Sequence, residues 1–171
     1  MQDLNGGHID SVFDPITTNV ATLKAGSLRA LAVSTPKRLP APFDMGFRAH
    51  NTNVFPQRPD RAYVGYIDGG AIILDISDMK NIKLVSRWSY SPPFNGFTHT
   101  VLPLFSRDLL VVSDECVKDN GEDWPKLTWI LDARNETNLV PVSTLPMPPF
   151  EKYGHAGGRY GSHNLHENRP G

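Results

Sequence analysis

The chain reads as mainly β: a partial β-propeller of two four-stranded blades plus the start of a third, behind an N-terminal βαβ fragment. Three observations predict this. His50, His99 and His163 each head what reads as the same structural unit. Inside the first two units an apolar strand ends in Leu-Asp, at Leu74-Asp75 and Leu131-Asp132, before a short Asp/Asn turn and a closing strand. Pro and Gly are abundant, 15 and 14 of 171 residues, which suits a turn-rich β protein better than a helical one.

Residues 1–35 have a different grammar from the rest. HIDSVF (8–13) makes a short strand, and Asp14-Pro15 then opens a helix with Asp at the N-cap and Pro in the first helical position. The following run places Ile16, Val20 and Leu23 on one helical face and ends at Gly26, a natural residue just past a helix. LRALAVS (28–34) is a largely apolar strand, so the segment is one strand–helix–strand unit of a larger parallel sheet. Pro36, Pro40 and Pro42 break the pattern and make 36–46 a linker.

From Phe47 to 171 the expectation is an incomplete propeller. A His50-headed strand is followed by DRAYVGYI (60–67), GAIILDI (70–76) and IKLVSRW (82–88), with Asp68-Gly69 as a hairpin signal. THTVLPL (98–104), DLLVVSD (108–114), KLTWILD (126–132) and LVPVSTL (139–145) repeat that order. Four antiparallel strands are the content of one blade. The blades are therefore expected over about 47–90 and 97–146, with a third starting near 160. Because closure usually takes about 4–8 blades, the open blade faces predict a homo-oligomer.

Two stretches resemble known families. LKAGSLRALAVSTPKR (23–38), within about 4–41, is similar to the Bug-type solute receptors of tripartite tricarboxylate transporters. Gly7 and Asp10 match that family's Gly-x-x-Asp pattern, and the resemblance implies a remnant of a periplasmic carboxylate binder. ILDISDMKNIKLVSRW (73–88) and ILDARNETNLVPVSTL (130–145) resemble LVIVD-type propeller repeats, a likeness covering about 47–171. It implies a β-propeller whose repeat family is functionally diverse.

The first strand of a propeller blade lines the central channel, so matched residues of successive blades face one another there. His50, His99 and His163 then form part of a ring able to hold a divalent transition metal such as Zn, Cu or Fe. His166 can add a ligand or orient one, and Glu167 is a carboxylate partner for an imidazole N–H. A histidine-lined channel holding a metal is similar to the arrangement in the selenium-binding-protein/methanethiol-oxidase group. The alternative stands beside it: a histidine at a strand start can simply hydrogen-bond a neighbouring blade and fix the ring.

Other candidates read as structural. Asp114, Glu115, Asp119, Glu122 and Asp123 make an acidic loop without EF-hand spacing, read as a solvated charge run rather than a Ca²⁺ site. Asp75 and Asp132 cap the turns that follow them, and Trp88, Trp124 and Trp129 pack between blades or anchor loops. Cys116, the single cysteine, excludes an intramolecular disulfide and reads as a spectator thiol in a loop. His8 and His155 read as solvated. No Gly-x-Ser-x-Gly, phosphate loop or dinucleotide fingerprint occurs. A net charge of −1 and pI near 6.6 speak against nucleic acid and membrane surfaces as partners. With neither a signal peptide at the start nor a spanning apolar run, a cytoplasmic location is expected for the chain as written, although both resembled families can be exported.

The combined expectation is a fragment of an LVIVD-like propeller, a binding scaffold with a histidine metal site that is inactive alone. A transporter-receptor remnant and a self-assembling interaction module are the competing readings, and no catalytic residue is assigned.

Overall fold

The computed structural model describes residues 48–94 and 96–166; the expected βαβ fragment, the linker, His8 and Glu167 lie outside the described residues. Eight strands make two antiparallel four-stranded sheets. The first sheet holds β1 (Asn51–Phe55), β2 (Arg58–Gly65), β3 (Ala71–Asp75) and β4 (Lys83–Trp88) in sequence order. The second holds β5 (Thr98–Leu104), β6 (Leu109–Asp114), β7 (Thr128–Asp132) and β8 (Val140–Thr144) in the same order. Each of the eight strands expected between 47 and 146 is present, because alternating apolar residues bounded by turn residues leave few other ways to bury one face. No helix among the described residues is long and apolar enough to cross a membrane.

The two sheets repeat down to their irregularities. Between β3 and β4 the register jumps from Ile73↔Ser86 to Leu74↔Leu84, leaving Val85 as an extra residue. Between β7 and β8 it jumps from Ile130↔Ser143 to Leu131↔Pro141, leaving Val142 extra at the matching place. Asp75 and Asp132 then close equivalent turns: Ser77 N–H donates to Asp75 Oδ1 at 2.9 Å and Arg134 N–H to Asp132 Oδ1 at 3.0 Å. The surroundings of the two bulges differ. Val85 packs on the main core, whereas Val142 is 56% exposed on an outer strand that is exposed along its whole length.

The core lies between the sheets. Tyr63, Ala71 and Ile73 of the first meet Val101, Leu110, Val112 and Leu131 of the second. Alternation along β2 and β3 sends Ala62, Val64 and Ile72 to the opposite face, where with Tyr66 they form a second buried cluster. Aromatic rings tie the sheets together: Trp88 meets Trp129 edge to face at 5.2 Å, and Phe105 meets Tyr63 at 6.1 Å. Trp124 instead stacks on Phe150 at 5.1 Å and anchors a loop.

One expectation is met and one needs correction. The hairpin between β2 and β3 forms with Asp68-Gly69 at its turn, and the left-handed residues are Ile67 and Gly70 on either side of that pair. Tyr66 N–H donates to Gly70 O at 2.9 Å and Gly69 N–H to Tyr66 O at 2.6 Å, so the turn is wider than a two-residue loop. Near 160 no third-blade strand forms among the described residues. The His163 and Ser162 carbonyls are taken by the Ser113 hydroxyl at 2.6 Å and the Cys116 N–H at 3.4 Å, which makes this segment a strap over the second sheet.

Candidate metal centre

Three segments converge at the start of β1, the start of β5 and the strap. His50 precedes β1, and its N–H donates to Gly65 O at 2.8 Å. His99 is the extra residue of a β-bulge: Thr98 pairs with Asp114 and Thr100 with Ser113, leaving His99 between them without a partner. A bulge of this kind turns a side chain out of the regular alternation. Gly65 lets the two histidines meet, since a Cβ there would overlap the His99 carbonyl oxygen. The ring centroids of His50 and His99 are 4.3 Å apart, and those of His99 and His163 are 4.5 Å apart.

The carboxylate among them is Glu115, the first residue after β6. Its Oε2 lies 3.7 Å from His50 Nε2 and 3.8 Å from His99 Nε2, and its Oε1 lies 3.6 Å from His163 Nε2. These separations exceed a hydrogen bond. They approach the ligand-to-ligand edge of a tetrahedral ion, which for bonds of about 2.0–2.2 Å is roughly 3.3–3.6 Å. One donor atom each from His50, His99 and Glu115 lie within 4.8 Å of one another, so two imidazoles and one carboxylate can close on a single cation. His163, 55% exposed, stands at the rim.

His99 is the most constrained member. It is buried, and its Nδ1 lies 2.7 Å from the Thr100 hydroxyl, which also accepts from Asn51 Nδ2 at 3.5 Å. In the tautomer that donates from Nδ1 to Thr100, Nε2 presents its lone pair toward Glu115, the usual way an outer partner orients a metal-binding imidazole. Burial, then the neighbouring His50 and His163, push the His99 pKa down to about 4, so the ring is neutral and ready to ligate at neutral pH. His50 differs: its Nδ1 is buried without a hydrogen-bond partner.

The backbone beneath the site is strained. Ile67 and Phe97 have φ of 38° and 74°, in the left-handed region that bulky side chains avoid. The two are locked by Thr98 N–H donating to Ile67 O and Glu115 N–H to Phe97 O, each at 2.9 Å. Lys126, buried, donates to Gly96 O at 2.7 Å and lies 5.8 Å from the centre of the Phe97 ring.

The structure thus brings together His50, His99 and His163 and leaves His166 exposed outside the cluster. Glu167 lies outside the described residues, and the carboxylate that meets the imidazoles is Glu115. Sequence reasoning assigns Glu115 to a solvated acidic run, and this needs correction. Asp114, Glu115 and Asp123 are buried because each has internal partners. Asp114 Oδ2 accepts from Leu127 N–H at 3.1 Å, and Asp123 Oδ2 from Val117 N–H at 2.9 Å. Burial pushes the Asp114 pKa up to about 7 against the opposing effect of that N–H and of Lys126. Cys116 is likewise buried, with Sγ 3.1 Å from Lys118 O and 3.2 Å from Asp123 Oδ1, and burial raises its thiol pKa. His155 is exposed, with its ring 5.0 Å from that of Phe150.

A signal for Glu115 exists in the strand register. Gly65 pairs with Ala71 and Ser113 with Thr128, which makes Glu115 the counterpart of Ile67. A carboxylate at the counterpart of an apolar turn residue, beside a histidine-headed strand, marks a departure from the repeat. No protein-family model, curated protein or solved structure matches the chain.

Proposed function

We propose that this chain carries two blades of an LVIVD-like β-propeller and works as a binding scaffold. Its histidine cluster holds a divalent transition metal: Zn, Cu or Fe. The observation that carries the reading is Glu115, whose two oxygens lie 3.6–3.8 Å from the Nε2 atoms of His50, His99 and His163. Two or three imidazoles with one carboxylate suit these borderline ions better than Ca²⁺ or Mg²⁺, which prefer oxygen ligands alone. The bulge, the left-handed residues and the Thr100 contact all support a site held in place before any ion arrives.

The repeat supports the propeller part. Gly65 of the first sheet abuts the His99 carbonyl, and its counterpart Ser113 donates to the His163 carbonyl. The strap therefore stands to the second sheet much as the start of β5 stands to the first, as successive blades do.

Titration calorimetry with Zn²⁺ and Cu²⁺ tests the site. One ion per chain is expected, with affinity lowered at least roughly tenfold by His99→Ala and by the near-isosteric Glu115→Gln. Circular dichroism checks that both variants fold. A parent chain that takes up no metal, or two folded variants that bind as tightly as the parent, would end the proposal.

A further inference from the structure

We infer that the metal centre is also an anion site, taking a small carboxylate as exogenous ligand with Arg159 as its second anchor. This rests on the metal reading above. Arg159 lies on the strap, and its Nη1 pairs with Glu115 Oε1 at 3.2 Å, on the same oxygen that faces His163. The strap holds it there: Asn120 N–H donates to Gly158 O at 2.9 Å, and the Ser162 hydroxyl donates to Asp114 O at 2.9 Å.

In the metal-free protein one guanidinium balances one carboxylate. A divalent cation between the imidazoles and Glu115 changes that balance. Histidine ligands are neutral, so the ion, Glu115 and Arg159 together leave the centre two positive charges in excess. Among the described residues no second carboxylate pairs with these histidines or with Arg159. A carboxylate from solution halves that excess. The direction of approach is set by exposure: His99 and Glu115 side chains are 7% and 12% exposed, whereas His163 and Arg159 are 55% and 58% exposed. The open side therefore carries the arginine. Once the cation draws Glu115 to itself, the planar guanidinium is released to grip a planar oxyanion through paired N–H donors, which a carboxylate matches and a spherical halide does not.

The test uses Co²⁺ as a visible reporter of coordination. The Co²⁺-loaded chain is titrated with sodium acetate and, in parallel, with sodium chloride at the same ionic strength. Saturable change in the visible spectrum is expected for acetate, at lower concentration than for chloride. Arg159→Met is expected to bind Co²⁺ at least as tightly, because a competing cation is gone, and to bind acetate roughly tenfold more weakly. An acetate response no stronger than that of chloride overturns the anion site. So does an Arg159→Met variant that keeps the parent's acetate affinity or loses Co²⁺. Failure of the parent to bind Co²⁺ overturns the metal reading itself, and the anion site with it.

Discussion

At His99 three influences act in one direction. Burial removes water from the imidazolium, and positive charge on His50 and His163 repels it, so the folded-state pKa falls from 6.5 to about 4. The unfolded chain therefore takes up a proton at this residue first as the solution is acidified. Stability that is fully present above pH 6.5 is lost as pH falls through about 4, a loss on the order of 3 kcal/mol for this shift. Urea denaturation of the metal-free protein across that window measures it. His99→Gln, which keeps a polar group next to Thr100 and removes the titration, is expected to flatten the pH slope. An equal slope in parent and variant would place the titrating group elsewhere. The same burial makes metal uptake by His99 nearly free of proton release at neutral pH.

At the scale of strands, the site depends on how closely β2 passes β5. Gly65 accepts the His50 N–H through its carbonyl, while its Cα faces the His99 carbonyl with no room for a Cβ. One residue therefore spaces two ligands. Gly65→Ala is expected to push the start of β5 away, lower stability by roughly 1–3 kcal/mol and weaken metal binding. Ser113→Ala, at the counterpart position, removes only the hydroxyl bond to His163 O and leaves the His50–His99 spacing intact. If both variants bind metal equally well, the spacing role of Gly65 fails. This contrast also shows what is legible in the sequence. The strands and their order follow from alternation, from Leu74-Asp75 and Leu131-Asp132, and from the turns after them. The three histidines are legible because they head those strands. The burial of Glu115 and the presence of Arg159 beside it are not, since both follow from a strap that returns from more than 40 residues away. Nor does alternation announce that β5 bulges at His99.

Across the whole molecule, one carboxylate joins the two sheets at the edge of the core that holds Tyr63. Glu136, in the turn after β7, accepts from Arg58 Nη2 and Arg61 Nε at 3.1 Å each and from the Tyr63 hydroxyl at 2.9 Å, all three on β2. The matching turn position in the first sheet is Met79, 40% exposed, so the clamp belongs to this junction and not to the repeat as such. Its contributions are unequal. Arg58 is 37% exposed, and an ion pair so wet adds little. Tyr63 is 2% exposed, and burial followed by the Glu136 contact raises its hydroxyl pKa, so this bond is made in a dry place. Glu136→Ala leaves that hydroxyl without its acceptor and is expected to cost about 1–3 kcal/mol in urea denaturation. Glu136→Gln keeps an amide oxygen for Tyr63 while losing the charge, and should cost less than half as much. An alanine variant within about 0.5 kcal/mol of the parent would mean that the apolar core alone fixes the two sheets. Because His50 and His99 belong to different sheets, a loosened junction must also loosen the metal centre. Glu136→Ala is therefore expected to weaken Zn²⁺ binding although Glu136 lies in a different turn from every ligand; unchanged affinity would separate the stability of the junction from the geometry of the site.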